Sequence, residues 1–181
     1  CGSSMEAIHV ATSKISSGSG DCFLVGGMES MSRVKRRGFN WSPHPGLEET
    51  YPQAYINMGI TAENVAENYS ISRIRQEEFA LISHQKSHNA QLEGYFDTEI
   101  SPIVHDGVII ETDGCVRASS NLESMARLNP VFKESGTVTA ATSSPLTDGV
   151  IFAIVCSEKF AIENNMAPIA KIVSTAVTGC P

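Results

Sequence analysis

Long apolar runs are missing from this chain of 181 residues. None reaches the roughly 18 residues that a membrane-crossing helix needs, so no membrane span is expected. No stretch reads as a secretory leader. Positive charge is also scarce: 13 Lys and Arg stand against 20 Asp and Glu, a formal net charge of −7. Nucleic-acid binders usually show the opposite balance, so no nucleic-acid partner is expected. A local basic site for a phosphorylated ligand stays compatible with that total. Paired cysteines are missing as well. Cys1, Cys22, Cys115, Cys156 and Cys180 are widely spaced, odd in number, and form no Cys-x-x-Cys. That argues against a zinc site and for a reducing compartment. In such a compartment the triplets Asn40-Trp41-Ser42 and Asn68-Tyr69-Ser70 carry no glycosylation meaning.

The chain is 41% hydrophobic, enough for a substantial core, and only 18% charged, so much of it is expected to be covered. Its length suits one or two domains. The organising stretch is Cys1-Gly2-Ser3-Ser4-Met5-Glu6-Ala7-Ile8. A cysteine precedes a helix apolar on more than one side: Met5, Ile8 and Ile15 on one stripe, Ala7, Val10 and Ala11 on the next. Such a helix is usually buried. A thiol at its start meets unpaired N–H groups and the positive end of the helix dipole, which make it a nucleophile. Two other readings of Cys1 stay open. A lipidated mature cysteine would be followed by a flexible polar linker, whereas here a helical pattern begins within a few residues. An N-terminal-nucleophile hydrolase would use its own amine as base.

The first helix is predicted to run to about Ser16, where Ser17-Gly18-Ser19-Gly20 stops it. Cys22-Phe23-Leu24-Val25, closed by Gly26-Gly27, reads as a fully buried parallel strand. Arg33-Val34-Lys35-Arg36-Arg37 is a basic run, read as a solvated loop with phosphate attraction as the alternative. Residues 38–55, rich in Pro and aromatics, read as a long irregular loop. Thr61 is predicted to cap a helix to about Tyr69, with Glu63 in its first turn. Ser72 is predicted to cap a longer one that stops at Gly94. Arg73 and Arg75 have the wrong sign for that helix start, so tertiary contacts are expected to hold it. His84 and His88 share a helix face, but no third ligand is apparent and no metal is expected.

Two short strands are predicted around His105-Asp106-Gly107. Asn121 or Ser120 is expected to cap a helix through Leu128, and a helix is expected over residues 158–165. The hydroxyl-rich loop from Gly136 to Pro145 would admit a ligand close to its backbone. Val150 to Cys156 and Ile169 to Val177 read as further buried strands. The absence of an initiator Met and the stop just after a strand are read as signs of a piece of a longer chain.

Several separated stretches resemble the thiolases, the acyl-CoA C-acyltransferases. They are Cys1 to Ala7, Gly26 to Ser32, Met58-Gly59-Ile60-Thr61-Ala62-Glu63-Asn64-Val65-Ala66, Ser83-His84-Gln85-Lys86, Leu122 to Leu128, and Gly136 to Gly149. The resemblance implies an α/β fold of layered α/β/α/β/α type with mixed five-stranded sheets, in two similar halves with an inserted loop domain. On that basis residues 1–32 would be the nucleophile helix and strand of the first half. Residues 33–145 would be the CoA-binding loop domain, 146–166 the return to the first half, and 167–181 the truncated start of the second.

The resemblance also implies a chemistry. Cys1 would accept the acyl group, with its backbone N–H contributing to an oxyanion hole. The reaction would be thiolytic cleavage of a 3-ketoacyl-CoA or condensation of acetyl-CoA. No cofactor would stay bound; coenzyme A would be substrate and product. Met58 would pack near the acyl and pantetheine part. Arg117 would meet the nucleotide side, with a surface ion pair as the plainer role. Ser124 and Phe132 would lie around the nucleotide, and Ala140 and Ser144 would flank pantetheine. The whole protein would be a homodimer or homotetramer, cytoplasmic or, in a eukaryote, in the mitochondrial or peroxisomal matrix.

The departures are specific. Asn57 stands where some members have His, Ser4 where Gly is common, and Val150-Ile151-Phe152 where small residues are usual. The family's activating His, second Cys and Asn-Glu motif have no match in these residues, so this stretch alone is expected to turn over negligibly. A non-catalytic thiolase-like CoA or lipid binder is the reading from another class, beside the processed N-terminal-Cys protein.

Overall fold

The computed structural model describes residues 2–34 and 37–179. In chain order they form α1 (Ser3–Ser16), β1 (Cys22–Glu29), α2 (Pro45–Thr50), α3 (Met58–Asn68), α4 (Arg73–Leu92), β2 (Ile103–His105), β3 (Val108–Ile110), α5 (Leu122–Ala126), β4 (Gly149–Cys156) and α6 (Glu158–Glu163). Short 3-10 turns sit at Pro52–Tyr55 and Ala140–Thr142. Two compact units result, Cys1–Trp41 with Leu146–Pro181, and Ser42–Pro145.

In the first unit α1 ends where expected, with Gly18 at φ +72 just beyond it. β1 and β4 pair antiparallel, from Cys22 opposite Cys156 to Glu29 opposite Gly149. The parallel expectation was therefore wrong. A continuous apolar run says that a strand belongs in a core, not which way its partner runs. The strand also continues through Gly26-Gly27 instead of stopping there. Both glycines are used by close neighbours. A Cβ on Gly26 would enter the Phe152 ring, and one on Gly27 would enter Ser4 of α1. The bulky Phe152 thus lies over its cross-strand partner Gly26, which has no side chain. α1 covers the face that carries Val25, and Ala11 of α1 is buried with it.

No described residue covers the opposite face. Leu24, Met28, Val150, Phe152 and Ile154 are exposed, against the expectation of strands buried on both sides. Ile169 to Val177 forms no strand at all, and Ile169, Val173 and Val177 are exposed. A strand needs a ladder partner, and the described residues offer it none.

In the second unit α4 carries its Ser72 cap, whose hydroxyl receives the Arg75 N–H, and Gly94 follows at φ +73. β2 and β3 form the expected hairpin around Asp106-Gly107. Asn121 caps α5 by receiving the Ser124 N–H at 2.9 Å. Two boundaries differ from expectation. α3 begins at Met58, not after Thr61, because the Asn57 side chain takes the Gly59 N–H at 2.8 Å. Residues 38–55 are not wholly irregular: Pro45 opens α2, capped by the His44 ring.

Candidate functional site

Cys1 lies outside the described residues. What the structure gives is the helix that follows it. Gly2 occupies the cap position of α1 and offers no side chain to the first-turn N–H groups. Ser4, in that first turn, is set against Gly27 of β1. The helix start is therefore fixed on the sheet by a contact that leaves its backbone donors uncapped.

The loop after β1 is tied in the same unit. Asp148, just before β4, accepts the Ser32 N–H at 2.8 Å and the Ser32 hydroxyl at 2.6 Å, one on each carboxylate oxygen. These two bonds hold the Asp148 carboxyl below its ordinary range. Of the basic run, Lys35 and Arg36 lie outside the described residues. The Arg37 guanidinium stacks over the Trp41 ring, 4.4 Å from its centroid.

In the second unit the loop that was expected to admit a ligand is clamped by a buried carboxylate. Glu63 is only 5% exposed. It accepts the Thr137 N–H at 2.9 Å on both oxygens, the Val138 N–H at 2.8 Å, and the Thr137 hydroxyl at 3.1 Å. Burial pushes this carboxyl up, but those bonds and nearby Lys133 together hold it below its ordinary value. Gln76 adds a bond to the Thr137 hydroxyl at 2.9 Å. Thr139 is completely buried and braces the turn beyond: its hydroxyl receives the Ala141 N–H, and its carbonyl receives the Ser143 hydroxyl at 2.8 Å. Glu63 is not in the first turn of its helix, where its sequence position suggests it. It sits deeper in α3, and its partners lie 74 residues away in the chain.

A second clamp holds α5. Arg73 pairs with Glu77 at 2.7 Å, and its other end donates to the carbonyls of Met125, Ala126 and Leu128 at 2.9, 3.1 and 2.7 Å. Glu77 is 2% exposed. Three carbonyls at the end of a short helix need a donor, and the fork of an arginine supplies one. The wrong-signed charge at the start of α4 is explained by this tertiary use.

Phe132 packs at the start of α3, beside the residue that follows Met58. Met58 opens α3 and is exposed; the next residue, Gly59, is buried, and a Cβ there would enter the Phe132 ring. The Val131 N–H donates to the Val138 carbonyl at 3.0 Å, which joins this segment to the clamped loop. Ala140 and Ser144, both exposed, follow on that loop. Ser124 is exposed and its hydroxyl donates to the Asn121 carbonyl at 2.8 Å. Arg117 is held elsewhere, on α4: its backbone N–H donates to His84 Nδ1 at 3.2 Å, leaving the exposed guanidinium outward. That bond occupies one nitrogen of the His84–His88 pair. No group of three or more His, Cys, Asp or Glu suited to a metal occurs among the described residues. No helix there is long and apolar enough to cross a membrane.

A groove of about 560 Å³ lies elsewhere in this unit, lined by Tyr69, Ile71, Gln76, Phe79 and Thr142 among others; none of the six expected ligand contacts lines it. Of those six, Met58, Arg117, Ser124, Ala140 and Ser144 are exposed and Phe132 is half-buried.

Residues 1–159 match the family described as thiolase, N-terminal domain. The chain is 42% identical over 186 residues to the 3-ketoacyl-CoA thiolase of Marinomonas sp. (strain MWYL1), covering 99% of this chain and 47% of that protein. It is 45% identical over 187 residues to the 3-ketoacyl-CoA thiolase of Shewanella loihica, covering 99% and 48%. Among solved structures it is similar to the dimeric peroxisomal thiolase of Saccharomyces cerevisiae, with a TM-score of 0.79 and 37% identity over 92% of this chain and 44% of that one. It is also similar to human mitochondrial 3-ketoacyl-CoA thiolase in complex with CoA, with a TM-score of 0.76 and 33% identity over 93% and 46%. The chain spans about half the length of the curated relatives it matches.

Proposed function

The chain belongs to the thiolase family, and on that premise we propose that it is part of an acyl-CoA C-acyltransferase. The observation that carries the reading is a family match that starts at Cys1 and runs unbroken to residue 159. In this reading Cys1 accepts the acyl group as a thiolate. Its donors are the uncapped first-turn amides of α1, and the substrate is a 3-ketoacyl-CoA, as in fatty-acid breakdown. A thiolate is soft and strongly nucleophilic, which suits a thioester or a 3-keto group activated by one.

Residues 33–145 would be the loop domain that binds coenzyme A, with residues 1–32 and 146–166 as parts of the first catalytic half and 167–181 opening the second. The compact unit Ser42–Pro145 supports that division. Met58, Ala140 and Ser144 would line pantetheine; Phe132, Ser124 and Arg117 would surround the nucleotide. The packing of Phe132 against Gly59 at the start of α3 and the seat of the 136–144 loop on Glu63 support this assignment. Coenzyme A is then substrate and product, with no resident cofactor. The dimeric yeast relative supports a homodimer or homotetramer for the whole protein. A reducing compartment, the cytoplasm or an organelle matrix, fits the same reading.

The test is direct. The full-length gene product is mixed with a 3-ketoacyl-CoA without free coenzyme A, and its intact mass is measured. An acyl group on the peptide that contains Cys1 is the expected result, lost in Cys1→Ser together with thiolysis. Thiolysis that survives Cys1→Ser overturns the proposal. Tight binding of acyl-CoA with no acylation would assign the protein to the non-catalytic binders instead.

A further inference from the structure

The three residues assigned to pantetheine, Met58, Ala140 and Ser144, lie on two segments of the unit Ser42–Pro145. Met58 opens α3, and the other two stand on the loop after Thr139. One buried side chain joins the segments. Glu63 of α3 accepts the N–H groups of Thr137 and Val138 and the Thr137 hydroxyl. Gly136 leaves room for this approach, since a Cβ there would enter the Glu63 carboxylate. Beyond Val138 the loop is fixed step by step. The Thr139 N–H donates to the Thr142 hydroxyl at 3.0 Å, and the Thr139 hydroxyl receives the Ala141 N–H at 3.2 Å. Ala140 opens the 3-10 turn that these bonds close. The direction of the backbone at Thr137 and Val138 therefore sets where Ala140 and Ser144 stand. Apolar packing is non-directional and would not fix it; a carboxylate does, at the cost of leaving water. The segments of Ser124 and Arg117 are fastened elsewhere, through Arg73 and His84.

We propose that Glu63 is a positioning residue for the pantetheine arm of the substrate, a role that rests on the acyl-CoA reading and refines it. Glu63 touches no substrate atom. It acts by holding Ala140 and Ser144 in register with Met58, through contacts internal to one unit. With the carboxylate lost, the loop is seated for only part of the time, and the affinity for the arm falls by that fraction. The arm makes the same contacts before and during the reaction. Its binding therefore weakens while the chemical step at Cys1 keeps its rate.

The experiment measures thiolysis by the full-length gene product, extrapolated to saturating coenzyme A. The substrates are acetoacetyl-CoA and acetoacetyl-pantetheine, which lacks the nucleotide, and rates are expressed per Cys1 that can be acylated. Glu63→Gln should raise KM about tenfold for both substrates and leave kcat within about twofold. Thr137→Val removes one of the three donors to Glu63 and should raise both KM values about threefold. It carries the test if Glu63→Gln does not fold. A contact that serves folding alone would reduce the amount of acylable Cys1 and move neither KM, and that result overturns the proposal. A rise confined to acetoacetyl-CoA overturns it too, because the effect would then lie on the nucleotide. So does a loss carried by kcat at unchanged KM. A parent that neither acylates Cys1 nor cleaves acetoacetyl-CoA overturns the proposed function and this role together. An active parent whose KM is unaltered in both variants overturns this role alone.

Discussion

Glu63 receives the Thr137 amide on both of its carboxylate oxygens, 2.9 Å each, across 74 residues of chain. This is the contact that seats the 136–144 loop on α3. Glu63→Gln keeps the shape but turns one acceptor into a donor that faces a backbone N–H. A buried donor left without a partner costs about 1–3 kcal/mol, so a loss of about 2 kcal/mol is expected in urea unfolding. The pH dependence has a definite sign. The folded carboxyl sits below its ordinary 4.5, so its contribution is full above that value and is lost as pH falls through the folded value. Glu63→Gln should therefore flatten the acid limb of the stability profile. An unchanged acid limb would contradict the clamp.

Gly59→Ala tests the seat of Phe132. In an open helix position the change would stabilise by about 1 kcal/mol, since Gly is a poor helix former. Here the added methyl would enter the Phe132 ring. Overpacking of this kind costs about 1–3 kcal/mol, so the net effect should be destabilising. Adding Phe132→Leu should recover part of the loss, a coupling that a double-mutant cycle in urea reads directly. A simple gain of stability from Gly59→Ala would mean that the ring moves aside at no cost.

Much of this was legible in the sequence where the signal is local. Ser72 and Gly94 bracket α4, and Asn121 starts α5, because caps and stops are short-range chemistry. The helix Ser3–Ser16 and its stop were legible too. The direction of the β1–β4 pairing was not, since apolar runs carry no sign for it. The burial of β4 and the residues 169–177 was overstated for a related reason: hydrophobicity records that a face wants cover, not that these residues supply it. Glu63 was missed as a clamp, and the tertiary contact expected at Arg73 had no named partner, because the partners are remote. For Glu63 the hint was a charged residue at an inward helix position. For Arg73 it was a positive charge at the wrong end of a helix dipole.

Arg73→Ala should be the costliest single change in this unit. It strands the 2% exposed Glu77 without its ion-pair partner and frees three carbonyls at the end of α5. Removing one partner of a buried pair costs about 3–5 kcal/mol, and the lower end applies because Arg73 itself is partly exposed. Arg73→Lys keeps a charge but not the fork, so it should recover only part. Replacing both residues, as Arg73→Met with Glu77→Leu, should cost less than Arg73→Ala alone. Equal costs in chemical unfolding would show that the pair contributes nothing as a unit.

Arg117→Ala separates fold from ligand. The structural bond at this residue uses its backbone N–H, not its guanidinium. Stability should therefore stay within about 0.5 kcal/mol of the parent. If the side chain meets the nucleotide, the full-length protein should bind coenzyme A about tenfold more weakly after the change, a loss of about 1.4 kcal/mol. Calorimetry with coenzyme A reads this. Unchanged affinity would return Arg117 to the role of a plain surface residue.

Ser32→Ala tests how the loop after β1 is held. The Ser32 hydroxyl is the largest influence that lowers the Asp148 carboxyl, with the Ser32 amide next. Removing the hydroxyl leaves the amide bond in place, so the carboxyl should titrate higher but still below its ordinary 3.8. Carbon-detected NMR of the Asp148 carboxyl follows the change. The sign for stability follows from linkage: a depressed carboxyl supports the fold above its unfolded value and ceases to do so as pH falls through the folded one. Ser32→Ala should thus narrow the acid range over which this loop loosens. Asp148→Asn should remove that dependence, because the amide cannot titrate. If Asp148 titrates identically with and without the Ser32 hydroxyl, the two residues are neighbours without being coupled, and the loop is held by the strand alone.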